Sequence, residues 1–299
     1  MKIGLVGLGK MGLNLALNMI DNDIEVVGFD PYLDDKVKKR YKKITFTDAL
    51  EDLIKELSLP RIIWVMVPAG EATDIVIDGL LALVNKEDII IDGGNSRYTD
   101  SIKRYKKLNE KGIRFLDVGT SGGQTGARHG ACLMIGGDEK AYKIVEPLFN
   151  KISHKDGFAY MGKSGSGHFV KMIHNGIEYG MMQAIGEGFD LLENSPYDLD
   201  YEKVAKVWAN GSIIEGLLID MVLSAIKKDK KLSNIIGRVD DSGEGQWTIE
   251  EALKLKVSIP VIAQALFSRY KSRDDNKFSE KVIAAMRNEF GGHKVYKKQ

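Results

Sequence analysis

The first half of the chain alternates short apolar runs with amphipathic stretches. "KIGLVG", "IEVVGFD", "RIIWVMV", "DIIIDGG" and "IRFLDVG" are compact, rich in β-branched residues and closed by glycine or aspartate, the pattern of strands buried on both faces. The segments between them repeat their apolar residues at helical spacing, so the alternation predicts an α/β fold built on a doubly wound parallel sheet. "ACLMIGG" adds a buried strand, residues 139–151 a helix, and "GFAYMG" a last short strand. Beyond about residue 164 no strand-like run appears. Helical patterns follow instead, first in a long glycine-studded segment and then near 200–209, 213–227, 247–256, 259–272 and 277–289. The turn-forming "GKSGSG" at the change of pattern predicts two domains, a sheet domain over 1–163 and an all-helical domain over 164–299.

One segment departs from the habit of a core helix. In "GHFVKMIHNGIEYGMMQ", residues 167–183, Lys171, His174, Asn175 and Glu178 fall within an arc of about 100° at ~100° per residue, so four polar groups share one face. A solvated stripe is the ordinary meaning of such a face. Gly167, Gly176, Gly180, Gly186 and Gly188 argue against it, because each costs a solvent-facing helix on the order of 1 kcal/mol relative to alanine. Close packing offsets that cost, and the segment reads as a buried or cleft-lining helix with two candidate acid/base groups.

Composition narrows what fills the cleft. Lys plus Arg number 43 against 42 Asp plus Glu, a formal charge of +1, so no global field recruits nucleic acid or an anionic membrane and any anionic ligand must be held locally. The single cysteine, Cys132, forms no intrachain disulfide and reads as a small buried hydrophobe of its strand, which suits a reducing cytoplasm. "MKIGLVGLG" is too short for a signal-peptide core and "RIIWVMVPAG" for a membrane span, so the chain reads as soluble.

Gly7, Gly9 and Gly12 in "GLGKMG" form G-x-G-x-x-G directly after a strand and at the opening of a helix. In a Rossmann-type domain these glycines allow the tight turn, the close approach to pyrophosphate and the helix packing, and the helix N-terminus faces the phosphates. Asp30 ends the second strand at nearly the spacing expected of the acid that binds ribose hydroxyls. It also repels a 2′-phosphate, so NAD is preferred to NADP. Leu8, Lys10 and Met11 within the turn, Val67, Pro68 and Ala69 after a later strand, and Asn95 complete the expected cofactor contacts. Two further loops, "IDGGNSRYTD" and "VGTSGGQTGARHG", also follow strands and so lie at the carboxyl edge of the sheet, where open α/β folds bind ligands. Asn95 suits a substrate hydroxyl or the cofactor. Ser121, Gly122 and Gly123 offer a hydroxyl and backbone amides suited to a carboxylate, although such residues are also the default composition of turns.

Together, "GLGKMGLNLALN", "DGGNSRYTD", "TSGGQTGARHG", "GHFVKMIHNGIEYGMMQ" and the late "RNEFGGH" resemble the 6-phosphogluconate dehydrogenases, the decarboxylating enzymes of the pentose phosphate pathway, over nearly the whole chain. The resemblance implies that Lys171 is the base for the 3-hydroxyl, Glu178 the acid that protonates C1, and His174 and Asn175 a substrate-orienting pair. The chemistry needs such groups: the base must be neutral near pH 7, which burial can achieve for a lysine, and its protonated form then stabilises the enolate left by loss of CO2. The β-keto acid is its own electron sink, so no metal is expected, and no His and carboxylate cluster stands at metal-ligand spacing. Tyr179, Arg269, Arg287 and His293 match the family's phosphate and substrate ligands, with a phosphorylated sugar acid as the implied substrate.

The chain departs from the long family members. It lacks their second helical repeat and resembles the short, NAD-favouring class. It carries Asp30, Pro31 and Tyr32 where they have Asn-Arg-Thr, and Ser242, Glu244 and Gln246 in "DSGEGQWT" where they have phosphate-binding lysines. In the family the tail reaches a neighbouring subunit, which implies a homodimer or a dimer of dimers whose helical domain serves substrate binding and dimerisation. Two other readings stay open on sequence: a β-hydroxyacid dehydrogenase for a smaller substrate such as 3-hydroxyisobutyrate, and a catalytically silent nucleotide-binding regulator.

Overall fold

A computed structural model describes residues 1–297. The chain divides into two compact units, Met1–Asn175 and Gly176–Gln299. The strands are β1 (Lys2–Val6), β2 (Glu25–Phe29), β3 (Thr45–Thr47), β4 (Ile62–Val65), β5 (Ile89–Asp92), β6 (Arg114–Ser121), β7 (Ala131–Gly137) and β8 (Ser153–Gly162). In the first unit the helices are α1 (Lys10–Asp21), α2 (Asp35–Arg40), α3 (Leu50–Lys55), α4 (Glu71–Leu81), α5 (Tyr98–Asn109), α6 (Gly123–His129) and α7 (Glu139–Ile152). One sheet runs in the order β3-β2-β1-β4-β5-β6-β7-β8. β4 and β5 are buried at every residue, which is why they read as unbroken apolar runs. Alternate residues feed two cores, one on each face: Ile89, Ile91, Leu116 and Val118 pack on one side, Ile90 and Phe115 on the other.

The fold class is the expected one, with three differences of detail. β7 runs antiparallel to β6, whereas the other neighbouring strands are parallel. The connection Gly122–Gly130 is shorter than the roughly a dozen residues that a parallel crossover takes. β3 and the polar first half of β8, "SHKD", carry no apolar run and so leave no trace in the sequence pattern. Cys132 is exposed, not buried. It stands directly opposite Ser121 at the outer end of the β6–β7 pair, beyond the buried Leu133 and Ile135.

α8 (Ser166–Glu193) begins against this sheet, and its first turns belong to the first unit. Three residues spaced by two along β6, and therefore on one face, set its position. The Asp117 carboxylate, fully buried, accepts the backbone N–H of Gly165 at 2.7 Å and of His168 at 3.0 Å, capping the helix from a neighbouring strand. Gly119 gives clearance, since a Cβ there would lie 2.3 Å from the Lys171 Cβ. Ser121 Oγ meets His174 Nε2 at 3.1 Å. Gly136 and Gly167 let the two backbones touch: a Cβ on Gly167 would fall 2.3 Å from the Asp117 carbonyl oxygen and one on Gly136 2.6 Å from the Gly167 nitrogen. Farther along α8, Gly176 packs on Thr248 and Gly180 on Val261, while Gly186 and Gly188 face open space.

The second unit is helical: the rest of α8, then α9 (Tyr201–Trp208), α10 (Leu217–Lys228), α11 (Glu244–Leu255), α12 (Pro260–Ser272) and α13 (Phe278–Gly291). α10 starts later than the apolar pattern because Gly216, at φ +144°, interrupts it. α11 starts earlier, on Gly243 in the left-handed region. Among the described residues no helix is long and apolar enough to cross a membrane.

Asp117→Ala would leave two buried amides without an acceptor, at about 1–3 kcal/mol each. Urea unfolding should therefore show a loss of at least about 2 kcal/mol; an unchanged midpoint would show that α8 does not depend on this cap.

Candidate active site

The glycine turn joins β1 to α1. Gly7 adopts φ +93° and donates its N–H to the Phe29 carbonyl at 2.9 Å. A Cβ on Gly7 would stand 2.5 Å from the Met66 carbonyl oxygen and one on Gly12 2.0 Å from the Gly7 oxygen, so both are demanded by packing. Gly9 differs, because a Cβ there would meet nothing within 4 Å. It is also the N-cap of α1, and no side chain caps that end. An open, uncapped helix start beside a backbone free of side chain is the cradle that a pyrophosphate requires. Asp30 follows β2, its Oδ2 accepting the Leu8 N–H at 2.8 Å and its Oδ1 the Tyr32 N–H at 2.9 Å. The acid and the glycine turn are thus one hydrogen-bonded unit, and each oxygen retains a lone pair for a ribose hydroxyl. Lys10 is exposed and Met11 half-buried at the same helix start.

Val67, Pro68 and Ala69 follow β4, with the Pro68 carbonyl accepting from Thr73 Oγ1 at 2.9 Å. Asn95 follows β5 and is exposed between two buried neighbours, Gly94 and Ser96. His168 Nε2 donates to the Gly94 carbonyl at 2.8 Å, and its Nδ1 lies 2.7 Å from Ser101 Oγ, so the hydroxyl donates to that nitrogen. The loop bearing Asn95 is thereby tied to the start of α8.

Four of the expected site residues form one cluster. Lys171, only 7% exposed, donates from Nζ to Asn175 Oδ1 at 2.5 Å. His174 Nδ1 stands 3.0 Å from the same oxygen and 3.5 Å from Lys171 Nζ, and its Nε2 meets Ser121 Oγ. With Asn175 Oδ1 as the acceptor, His174 carries its proton on Nδ1, and Nε2 accepts from Ser121. Gly122 and Gly123, at φ +104° and +60°, turn the chain after Ser121 into α6.

In the second unit, Arg269 lies over the ring of Tyr179, its Cζ 3.5 Å from the centroid, and donates to the Asp240 carbonyl at 2.8 Å. The Tyr179 hydroxyl accepts the Ser242 N–H at 3.4 Å. Where lysines are absent, the polar groups satisfy one another: Ser242 Oγ donates to the buried Glu244 at 2.7 Å and Gln246 to Glu250 at 2.9 Å. Glu178 follows on α8. Arg287 and His293 are not drawn to this cluster. Both are exposed, His293 meeting the Phe290 ring edge to face and donating its backbone N–H to the Arg287 carbonyl at 3.4 Å.

The sequence reading missed Asp117, Ser101, Arg104 and His168, all buried and polar. A lone carboxylate inside "RFLDVG" is the available signal, because a charge within a buried strand must be partnered.

Residues 2–170 match the NAD binding domain of 6-phosphogluconate dehydrogenase, and residues 167–299 match that enzyme's C-terminal domain. The chain belongs to the 6-phosphogluconate dehydrogenase family. A Bacillus subtilis protein that bears this enzyme's name provisionally is 53% identical, and each chain covers 100% of the other. The NAD(+)-dependent, decarboxylating 6-phosphogluconate dehydrogenase of Haloferax volcanii is 40% identical over 100% of this chain and 99% of its own. Among solved structures, 6-phosphogluconate dehydrogenase of Plasmodium falciparum superposes with a TM-score of 0.84 at 32% identity, covering 100% of this chain and 66% of that one. Short and long members of the family thus share the architecture described above.

The bonding of Asp30 predicts the outcome of its removal. Asp30→Ala should weaken NAD binding about tenfold, by loss of a charged hydrogen-bond acceptor, and narrow the gap between NAD and NADP. Titration with both nucleotides checks this, and unchanged discrimination would dismiss Asp30 as the selector.

Proposed function

We propose that this member of the family catalyses the oxidative decarboxylation of 6-phosphogluconate to ribulose 5-phosphate and CO2 with reduction of NAD. The observation that carries the reading is the Lys171–Asn175–His174–Ser121 cluster at the carboxyl edge of a sheet whose glycine turn and Asp30 suit a dinucleotide. Gly7–Gly12 and Asp30 hold the pyrophosphate and ribose, and Val67, Pro68, Ala69 and Asn95 serve the other half. Bound NAD supplies the hydride acceptor. Every proton that moves falls to the protein. Lys171 Nζ would take the proton of the C3 hydroxyl as the hydrogen on C3 leaves as hydride for that acceptor, which makes C3 a ketone. The C1–C2 bond then breaks, CO2 departs and the electron pair settles toward the C3 oxygen, where the Lys171 ammonium stabilises it. Glu178 delivers a proton to the carbon left by CO2, C1 of the product. Asn175 Oδ1 restrains Lys171, and Ser121 fixes the ring of His174. Ser121, Gly122 and Gly123 receive the carboxylate, and Tyr179 and Arg269 bind the phosphate.

The same proposal assigns the sheet domain to residues 1–163 and the substrate and dimer domain to 164–299, and places the enzyme in the cytoplasm. It makes the protein a homodimer, or a dimer of dimers, in which Arg287 and His293 serve a neighbouring subunit's site. Support comes from α13. No residue of this helix is buried, and it presents Phe278, Ile283, Met286 and Phe290 at 64%, 53%, 52% and 76% exposure. An apolar stripe of that size marks an interaction surface.

NADH formation should be strong with 6-phosphogluconate and absent with gluconate or 3-hydroxyisobutyrate; the reverse order would overturn the substrate. Lys171→Met should abolish turnover while leaving NAD affinity within about twofold, because the nucleotide contacts lie elsewhere. A mutant with half the wild-type rate would remove Lys171 from the chemistry.

The shared tail is checked by mixing Lys171→Met with Arg287→Ala chains, each nearly inactive alone. Mixed dimers should regain activity, since one of their two sites then has both wild-type residues. Mixed dimers seen by native mass spectrometry that stay inactive would assign Arg287 to its own subunit.

A further inference from the structure

The loops after β4 and β5 converge on one buried guanidinium. Arg104, on α5 and only 4% exposed, donates from Nη1 to Asp92 Oδ2 and Ser96 Oγ, both at 2.9 Å. Its Nε donates to Asp74 Oδ1 at 2.8 Å and its Nη2 to the Gly70 carbonyl at 3.2 Å. Asp92 ends β5 and is fully buried; Ser96 immediately follows Asn95; Gly70 immediately follows Ala69; Asp74 lies in the first turn of α4. One planar group therefore holds both loop ends in a single register. The buried charge is matched by Asp92 and Asp74, so its desolvation is compensated and its geometry is fixed.

A doubly wound sheet binds one mononucleotide over each half, on either side of the switch between β1 and β4. Asp30 and the glycine turn belong to β1 and β2, which assigns them the adenosine ribose and the pyrophosphate. The nicotinamide half then falls to the loops after β4 and β5, the two that Arg104 joins. We infer that Arg104 is a positioning residue for the nicotinamide ring of the dinucleotide: it touches no cofactor atom, and it sets the spacing of Val67–Ala69 against Asn95. The inference rests on the reading of the site as an NAD site. A lysine cannot take over this role, because a single ammonium cannot reach acceptors on four sides of a plane.

The experiment compares NAD with ADP-ribose, which lacks only the nicotinamide, by calorimetric titration of wild type, Arg104→Lys and Ser96→Ala. Arg104→Lys should raise the Kd for NAD about tenfold through the lost charged hydrogen bonds and leave that for ADP-ribose within about twofold. Ser96→Ala, which removes one acceptor and keeps both ion pairs, should shift the same ratio by about threefold. It decides the matter if Arg104→Lys does not fold. Equal weakening of both ligands would mean that Arg104 only supports the domain, and no weakening of either would mean that it does neither; each result overturns the inference and leaves the NAD reading standing. Wild-type protein that binds neither ligand would overturn both.

Discussion

The buried carboxylate of Asp117 fixes the start of α8, and the rest of the site is measured from there. Because β6 presents every second residue to the same face, its cap, its clearance and its hydrogen bond come in strict order: Asp117 under the first turn, Gly119 under Lys171, Ser121 under His174. A shift of one residue in β6 would turn all three into the opposite core among Leu116 and Val118. The position of the candidate base is therefore inherited from strand pairing, the most rigid element available.

The polar groups buried around this core are tolerated because each has a partner of suitable charge. Asp117 receives two amides, His168 bridges Ser101 and Gly94, and Arg104 meets two carboxylates. Networks of this kind contribute little net stability, yet they penalise every alternative arrangement of the loops they join. Rigid loops are what a hydride transfer requires, since small displacements of reacting atoms are costly.

Much of this was legible in the sequence. The apolar runs gave the central strands, the glycine spacing gave the tight turn from β1 into α1, and the polar arc on one helix gave Lys171, His174 and Asn175, which do meet. The untraced parts share a cause: they depend on pairings that a one-dimensional pattern does not carry. Asp117 and Arg104 find their partners through the sheet order, and the antiparallel course of β7 follows from loop length, not from its apolar residues. The neighbours "LMI" suggest a buried Cys132, whereas it alternates with Ala131, Leu133 and Ile135, which fill a core, and so lies on the other face of β7. Arg287 and His293 are both exposed, at the end of α13 and just beyond it, where the apolar pattern of a single chain carries no information on their partners.

The irregularity of β8 has a bearing on how the sheet ends. β8 lies at the border of the sheet, where unpaired amides and carbonyls could template another strand. Its polar opening, "SHKD", includes Asp156 at φ +59°, and its pairing with β7 slips register twice, after Ala131 and after Ile135. A strand so charged and crooked offers no flat rim for a second sheet to extend. At this border, then, backbone pairing between two copies is disfavoured, and association there would fall to side-chain surfaces.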